Sequence, residues 1–170
     1  MKLAFFFQSK YFKKLSFFLG IAFLIIAAFF AVKPEPFLRF GYLGIFVFNI
    51  LGAGTFLIIP LVKHFQLLPL ALISACGITL NDSIAWFIGT SGTAVIPKGK
   101  KVKRIEKSIQ KYGAYALFFW SLIPFPYDLI GFVAGYLGIP YRMFVVPTFL
   151  GKFVRLILLG IGTLQVIKIF

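Results

Sequence analysis

Acidic residues are scarce: four in 170, against eighteen lysines and arginines, for a formal net charge of +14. One histidine and one cysteine complete a thin stock of reactive side chains. A single cysteine, Cys76, excludes an internal disulfide and a cysteine-based metal site. His64 has no second histidine to share a metal with, and beside Lys63 it reads as an interface residue. The chain offers no Ser/His/Asp set, no phosphate loop and no carboxylate pair at enzymatic spacing. An enzyme is therefore the least favoured class, and no cofactor or metal is expected. Charge of either sign is low. Thirteen per cent of the residues are charged and 61% are apolar, where a soluble domain has about a quarter and about a half. That balance excludes an ordinary soluble core. The basic excess comes without an RNA-binding aromatic motif or a zinc pattern. It fits membrane orientation and anionic lipid headgroups, and not nucleic acid.

What the chain has in quantity is long apolar sequence. Residues 15–32 (LSFFLGIAFLIIAAFFAV) and 40–62 (FGYLGIFVFNILGAGTFLIIPLV) carry no charge at all, and runs of about 18 or more apolar residues read as membrane segments. The first has too long an apolar core for a signal peptide, and no small-residue cleavage site follows it before KPEPFLR. The expected order begins with a basic, cytoplasmic segment at 2–14 and a first spanning helix at 15–32. KPEPFLR (33–39) is a turn, because Pro34 and Pro36 oppose helix. The broken apolar segment 40–62 follows, and then an apolar stretch at 65–97 interrupted only by Asp82. PKGKKVKRIEKSIQK (97–111) is strongly basic. Its Val102, Ile105 and Ile109 recur at helical spacing, which predicts a short amphipathic helix on the membrane surface. Residues 112–141 are apolar except for Asp128, and the last segment, 142–168, contains Lys152 and Arg155.

Two halves repeat. RFGYLGIFVFNILG (39–52) aligns with KYGAYALFFWSLIP (111–124) at an offset of 72, and FIGT (87–90) meets GIGT (160–163) at 73. Each half has a Gly/Pro-broken apolar segment and then a longer apolar helix. The breaks contain Gly52, Gly54 and Pro60 in one half, and Pro124, Pro126, Gly131 and Gly135 in the other. Such a matched pair points to re-entrant hairpins. Irregular backbone at membrane depth survives only where protein or a wet cavity satisfies it. If each broken segment dips and returns, each half crosses once and the halves are oppositely oriented. The basic segments 2–14 and 98–111 then fall on the same, cytoplasmic side, as the positive-inside rule requires. The resulting expectation is an all-α integral membrane protein. It is an inverted repeat of re-entrant helical hairpin plus transmembrane helix, preceded by one N-terminal transmembrane helix within 1–39. The repeat domain covers 40–163: repeat 1 over about 40–96, the basic helix over 97–111 and repeat 2 over about 112–163. Residues 164–170 form the C-terminal end.

Ionisable residues inside a membrane face the protein interior, where they pair or line a path. Thr79, Asp82, Ser83, Trp86 and Thr90 share one helical stripe, and Thr148, Lys152 and Arg155 share another. The offset of 73 maps Thr79 onto Lys152 and Asp82 onto Arg155, so an Asp82–Arg155 contact is expected, with Asp128 near Lys152. Pairs of this kind also serve simply to hold helices together. GFVAG (131–135) has the spacing of a close-packing motif.

The motifs Tyr112–Gly113, Pro124, Ala134–Gly135, Met143–Phe144 and Gly151–Lys152 give the second half a pattern that resembles the DedA family, also called the VTT or SNARE-associated domain. GITLNDSIAWFIGTSG (77–92) resembles the family's first-half pattern, with Asn81 standing where glycine is usual before the acid. The resemblance covers roughly 40–163. It implies two opposed re-entrant hairpins and movement of lipids between leaflets: phospholipid scrambling in eukaryotes, and translocation of undecaprenyl phosphate or phospholipid in bacteria, in some members coupled to proton motive force. The chain departs from the pattern twice. The arginines usual three residues before and after the hairpin proline are Ser121 and Tyr127 here, and the first hairpin reads IIPLV (58–62) without its usual acid. Lys152 and Arg155 are the positive charges left to replace those arginines.

The function expected is translocation of lipids or lipid-linked phosphates, with Asp82, Asp128, Lys152, Arg155, Asn81 and Thr79 lining a polar groove. The partners expected are membrane lipids with anionic headgroups; homo-oligomerisation stays open. The place expected is a prokaryotic cytoplasmic membrane. A proton- or ion-coupled transporter of a small solute and a non-transporting membrane scaffold are the alternatives.

Overall fold

The two longest helices fall in the apolar stretches that carry Asp82 and Lys152, and not in the charge-free run 40–62. A computed structural model of the chain describes residues 35–51, 57–91, 99–124 and 126–169, with side chains from Arg39 onward. The expected spanning helix at 15–32, the turn residue Pro34 and the tip residues Gly52 and Gly54 lie outside the described residues. Among the described residues there is no strand. The elements are α1 (Glu35–Ile50), α2 (Ile58–Leu61), α3 (Leu67–Thr90), α4 (Lys100–Tyr112), α5 (Ala114–Leu122), α6 (Tyr127–Tyr136) and α7 (Tyr141–Ile169). With 24 and 29 residues, α3 and α7 are roughly 36 and 44 Å long at 1.5 Å per residue. Both have the length and composition to cross a membrane, whose hydrocarbon core is about 30 Å thick.

α3 and α7 run antiparallel. Leu67 at the start of α3 packs on Gly160 near the end of α7. Tyr141 at the start of α7 lies 5.1 Å from the Trp86 ring and 5.6 Å from the Phe87 ring near the end of α3. The connection from Ser91 to Pro140 therefore begins and ends at the same end of this pair. Outward rows of α3 (Leu80, Ile84, Phe87) and α7 (Val146, Leu150, Leu158) are exposed.

The shorter helices repeat one local design. Gly41 (φ 58°, ψ −146°) and Gly113 (φ 55°, ψ −127°) stand 72 residues apart in nearly the same conformation, one open to glycine and hostile to any residue with a Cβ. Gly41 kinks α1, and Gly113 separates α4 from α5. α1 then packs on α3: a Cβ on Gly77 would lie 2.7 Å from Asn49 Cβ and 2.8 Å from the Phe46 carbonyl. α5 packs on α7 in the same way, for a Cβ on Gly151 would strike the Ser121 side chain and lie 2.6 Å from the Phe118 carbonyl. Each second arm crosses over. α2 contacts α7, and α6 lies along α3. At that last crossing Gly135 meets the Trp86 carbonyl and Gly89 meets the Phe132 carbonyl too closely for any side chain.

Pro124 ends a helix and Pro126 precedes one, whereas Pro147 lies inside α7. Ile123, pushed extended (φ −86°, ψ 141°) by Pro124, closes α5, and Pro126 caps the start of α6. The expected turn at 33–39 is overturned in part: α1 already begins at Glu35, with Pro36 in its first turn. A first-turn proline costs little because its missing N–H would have had no helical partner. Pro60 likewise sits within α2. The basic helix is present as α4, but its Val102, Ile105 and Ile109 are buried in one cluster with Ala116, Leu117, Tyr127 and Ile130. Its apolar stripe is turned onto α5 and α6 rather than onto lipid.

Candidate functional site

Two stripes of polar side chains on the long helices meet in the interior. α3 contributes Thr79, Asp82 and Ser83; α7 contributes Thr148, Lys152 and Arg155; all six are buried. Asp82 Oδ2 lies 2.6 Å from Lys152 Nζ, with both side chains no more than 5% exposed. Asp82 is eight residues from the end of α3 and Lys152 eleven from the start of α7. That places the pair roughly 12–16 Å in from one end, about half the depth of a hydrocarbon core.

Tyr127 at the start of α6 ties three helices together around this pair. Its ring lies beneath Lys152 Nζ, 4.6 Å from the centroid. Its hydroxyl donates to the Leu117 carbonyl of α5 (3.1 Å) and shares a 2.7 Å hydrogen bond with Thr148 Oγ1 of α7. One turn beyond Lys152, Arg155 Nη1 donates to the Ile123 carbonyl at 3.3 Å. Ile123 immediately precedes Pro124, so the guanidinium stands at the proline-broken turn between α5 and α6. Towards the other end, Ser83 Oγ donates to the Thr79 carbonyl (2.8 Å) and meets the Tyr141 hydroxyl (3.1 Å). Trp86 Nε1 donates to the Ile139 carbonyl (3.0 Å).

The interior thus holds two cations and one carboxylate among the described residues. A buried charge is expensive unless paired or hydrogen-bonded, and each of the three has such a partner. Two buried oxygens, Thr79 Oγ1 and Asn49 Oδ1, have no hydrogen-bond partner among the described residues. The surplus charge is positive, so the cluster suits an anionic group better than a cationic one. No three His, Cys, Asp or Glu side chains gather anywhere among the described residues.

The structure brings Asp82, Lys152, Arg155 and Thr79 together and leaves Asp128 outside. Asp128 is exposed in the first turn of α6, where the helix N-terminus favours a negative charge. It lies within electrostatic range of Asp82 and Lys152. The carboxylate's ion pair is to Lys152, and not to Arg155 as the offset of 73 suggests. Gly77 and Gly151 hold equivalent places against α1 and α5, and they are 74 apart. At that spacing Asp82 aligns with Leu156 and no longer with Arg155. Asn81 is half-buried beside the cluster, and Pro124 and Pro126 are exposed at the turn. Gly131 and Gly135 face α3, and a Cβ on Gly131 would lie 3.1 Å from the Asp82 carbonyl. Sequence reasoning missed the role of Tyr127. In a chain with 24 phenylalanines and 7 tyrosines, one aromatic beside a proline gives no signal that its ring will lie under a lysine.

The model of the VTT domain family matches residues 51–164, about two thirds of the chain. The match runs from the end of α1 to near the end of α7 and includes every residue of the buried cluster. No curated protein matches the chain, and no solved structure does.

Proposed function

The chain belongs to the VTT-domain family, also called DedA, and on that premise we propose that this membrane protein moves lipids or lipid-linked phosphates between leaflets, as a scramblase or flippase serving membrane homeostasis. The observation that carries the reading is the buried Asp82–Lys152 pair with Arg155 beside it, set at mid-depth between two helices of membrane-spanning length. Charges are retained at that depth where they line a path or bind a polar group. The excess of positive charge suits a phosphate. Arg155 at Ile123 puts a guanidinium beside the turn where the family pattern has arginines flanking the proline.

The same reading makes the fold an inverted repeat of re-entrant hairpins. Three observations support it. α5 and α6 are nine and ten residues long, roughly 14–15 Å each, which is half a hydrocarbon core. Their connection leaves and returns to one end of the α3/α7 pair. α1 runs inward from the other end, with Tyr42 against Phe65 (5.1 Å) and Asn49 Nδ2 reaching Ser74 Oγ (3.4 Å). The hairpins would then enter from opposite faces and thin the barrier between them. In this proposal α4 lies at the cytoplasmic face of a prokaryotic cytoplasmic membrane, as its six basic residues favour.

Reconstitution into vesicles with labelled lipids tests the function. Flip-flop faster than in protein-free vesicles is expected for at least one anionic lipid; no acceleration across several headgroups overturns the proposal. A proton- or ion-coupled solute transporter is the second reading, favoured by a carboxylate as deeply buried as Asp82. Under that reading Asp82→Asn abolishes transport driven by a pH gradient. A scaffold dimerising through GFVAG is disfavoured, because Gly131 and Gly135 are already covered by α3.

A further inference from the structure

A groove of about 340 Å³ runs between α4 and α5, along Ser108, Tyr112, Tyr115, Phe119, Trp120 and Ile123, with Ala116 as its floor. Its volume falls in the range of small-ligand sites, about 300–1,000 Å³. The lining is almost wholly apolar. Its indole N–H is already used, for Trp120 Nε1 donates to Ser108 Oγ at 3.2 Å. Tyr115, Phe119 and Ile123 are 75%, 61% and 50% exposed. An occupant is therefore recognised by shape and apolar contact.

The α4 edge of the groove is cationic. Arg104 stands one turn before Ser108 and on its face of the helix, and Lys111 Nζ lies 5.0 Å from the Tyr112 ring centroid. Both cations are exposed. Glu106 is the only acid in α4, against six basic residues. At the other end, Ile123 is the residue whose carbonyl holds Arg155. A cationic rim opening into an apolar channel is complementary to a negative headgroup carrying a hydrocarbon chain.

We propose that this groove holds one acyl chain of an anionic phospholipid, with its phosphate on Arg104 and Lys111, and that it loads lipid towards the turn at Ile123–Pro126. The proposal rests on the lipid-translocation reading for its direction but not for its binding. A lipid seated here has its headgroup at the surface helix and its chain end near the buried cluster. The binding energy comes from the apolar wall and the selectivity from the rim.

Trp120 is one of two tryptophans, so the full-length Trp86→Phe protein reports from the groove alone. It is reconstituted into phosphatidylcholine vesicles containing a fixed fraction of brominated-chain lipid, either phosphatidylglycerol or phosphatidylcholine. Brominated phosphatidylglycerol is expected to quench Trp120 more strongly. Arg104→Gln and Lys111→Gln are each expected to lower that preference about fivefold, the weight of one cation at an anionic surface. Both positions are exposed, so the fold is not at issue. Equal quenching by the two lipids overturns the proposal, since the groove then only faces bulk membrane. Absence of quenching by either also overturns it, since a protein segment then covers the groove. Flip-flop is measured in the same vesicles. Flip-flop without a preference at Trp120 removes the groove and leaves translocation standing. A preference without flip-flop does the reverse.

Discussion

Replacing both members of the Asp82–Lys152 pair by apolar residues separates a helix-joining role from a role in transport. Removing one partner of a buried ion pair strands the other and costs about 3–5 kcal/mol. The two losses are not equal here. Asp82→Leu leaves Lys152 its contact with the Tyr127 ring at 4.6 Å, and a desolvated cation–π contact of this kind is worth about 2 kcal/mol. Lys152→Met forfeits that contact and leaves a carboxylate in the interior. Lys152→Met is therefore expected to be the more damaging single change. The double variant removes both charges of the pair at similar volume and strands neither, which in buried pairs is about neutral or stabilising. It should be more stable than either single variant. Thermal unfolding of the four proteins in one detergent gives the order, and flip-flop in vesicles gives the activity. The expected result is a well-folded double variant that has lost most of its activity. A double variant less stable than both singles refutes the pairing energetics. One that is stable and fully active refutes the role in transport, and leaves the pair as helix glue.

Gly41→Ala and Gly113→Ala force a Cβ into the same disfavoured backbone region. Each should cost about 1–3 kcal/mol, and by similar amounts if the two positions are true equivalents; thermal unfolding of both variants compares them. Gly135→Leu drives a side chain into the Trp86 carbonyl. It should cost about 1–3 kcal/mol or more while leaving the oligomeric state unchanged by light scattering, because this face is already occupied within the chain. Tyr127→Phe keeps the ring under Lys152 but strips its hydrogen bonds to Leu117 and Thr148. About 1–3 kcal/mol of stability is expected to go, and Tyr127→Leu should lose more.

Much of this was legible in the sequence, and the rest was hidden for identifiable reasons. Composition and long apolar runs led to helices of membrane-spanning length, and Val102, Ile105 and Ile109 led to α4. The repeat at 72 pointed to Gly41 and Gly113 as equivalents, and their backbones agree. Polar residues in apolar helices are conspicuous, so Thr79, Asp82, Lys152 and Arg155 stood out. Who pairs with whom did not, because a one-residue change of register turns a helix face by about 100°. The packing of α3 on α7 brings Lys152, and not Arg155, to 2.6 Å from Asp82. The direction of the apolar stripe on α4 was equally hidden. An amphipathic helix reads the same whether its apolar face meets lipid or neighbouring helices.

The account turns on whether the chain between the two long helices enters the membrane and returns to the side it came from. Lys101 in α4 and Arg142 in the first turn of α7 are both exposed. Single cysteines at these two positions, in a Cys76→Ser background, can be tested in sealed vesicles with a membrane-impermeant thiol reagent. Labelling of both from the same side, the side that also carries the basic face of α4, is the result predicted. Labelling from opposite sides would show that 112–141 spans the membrane, and the paired hairpins and the lipid path between them would fall with it.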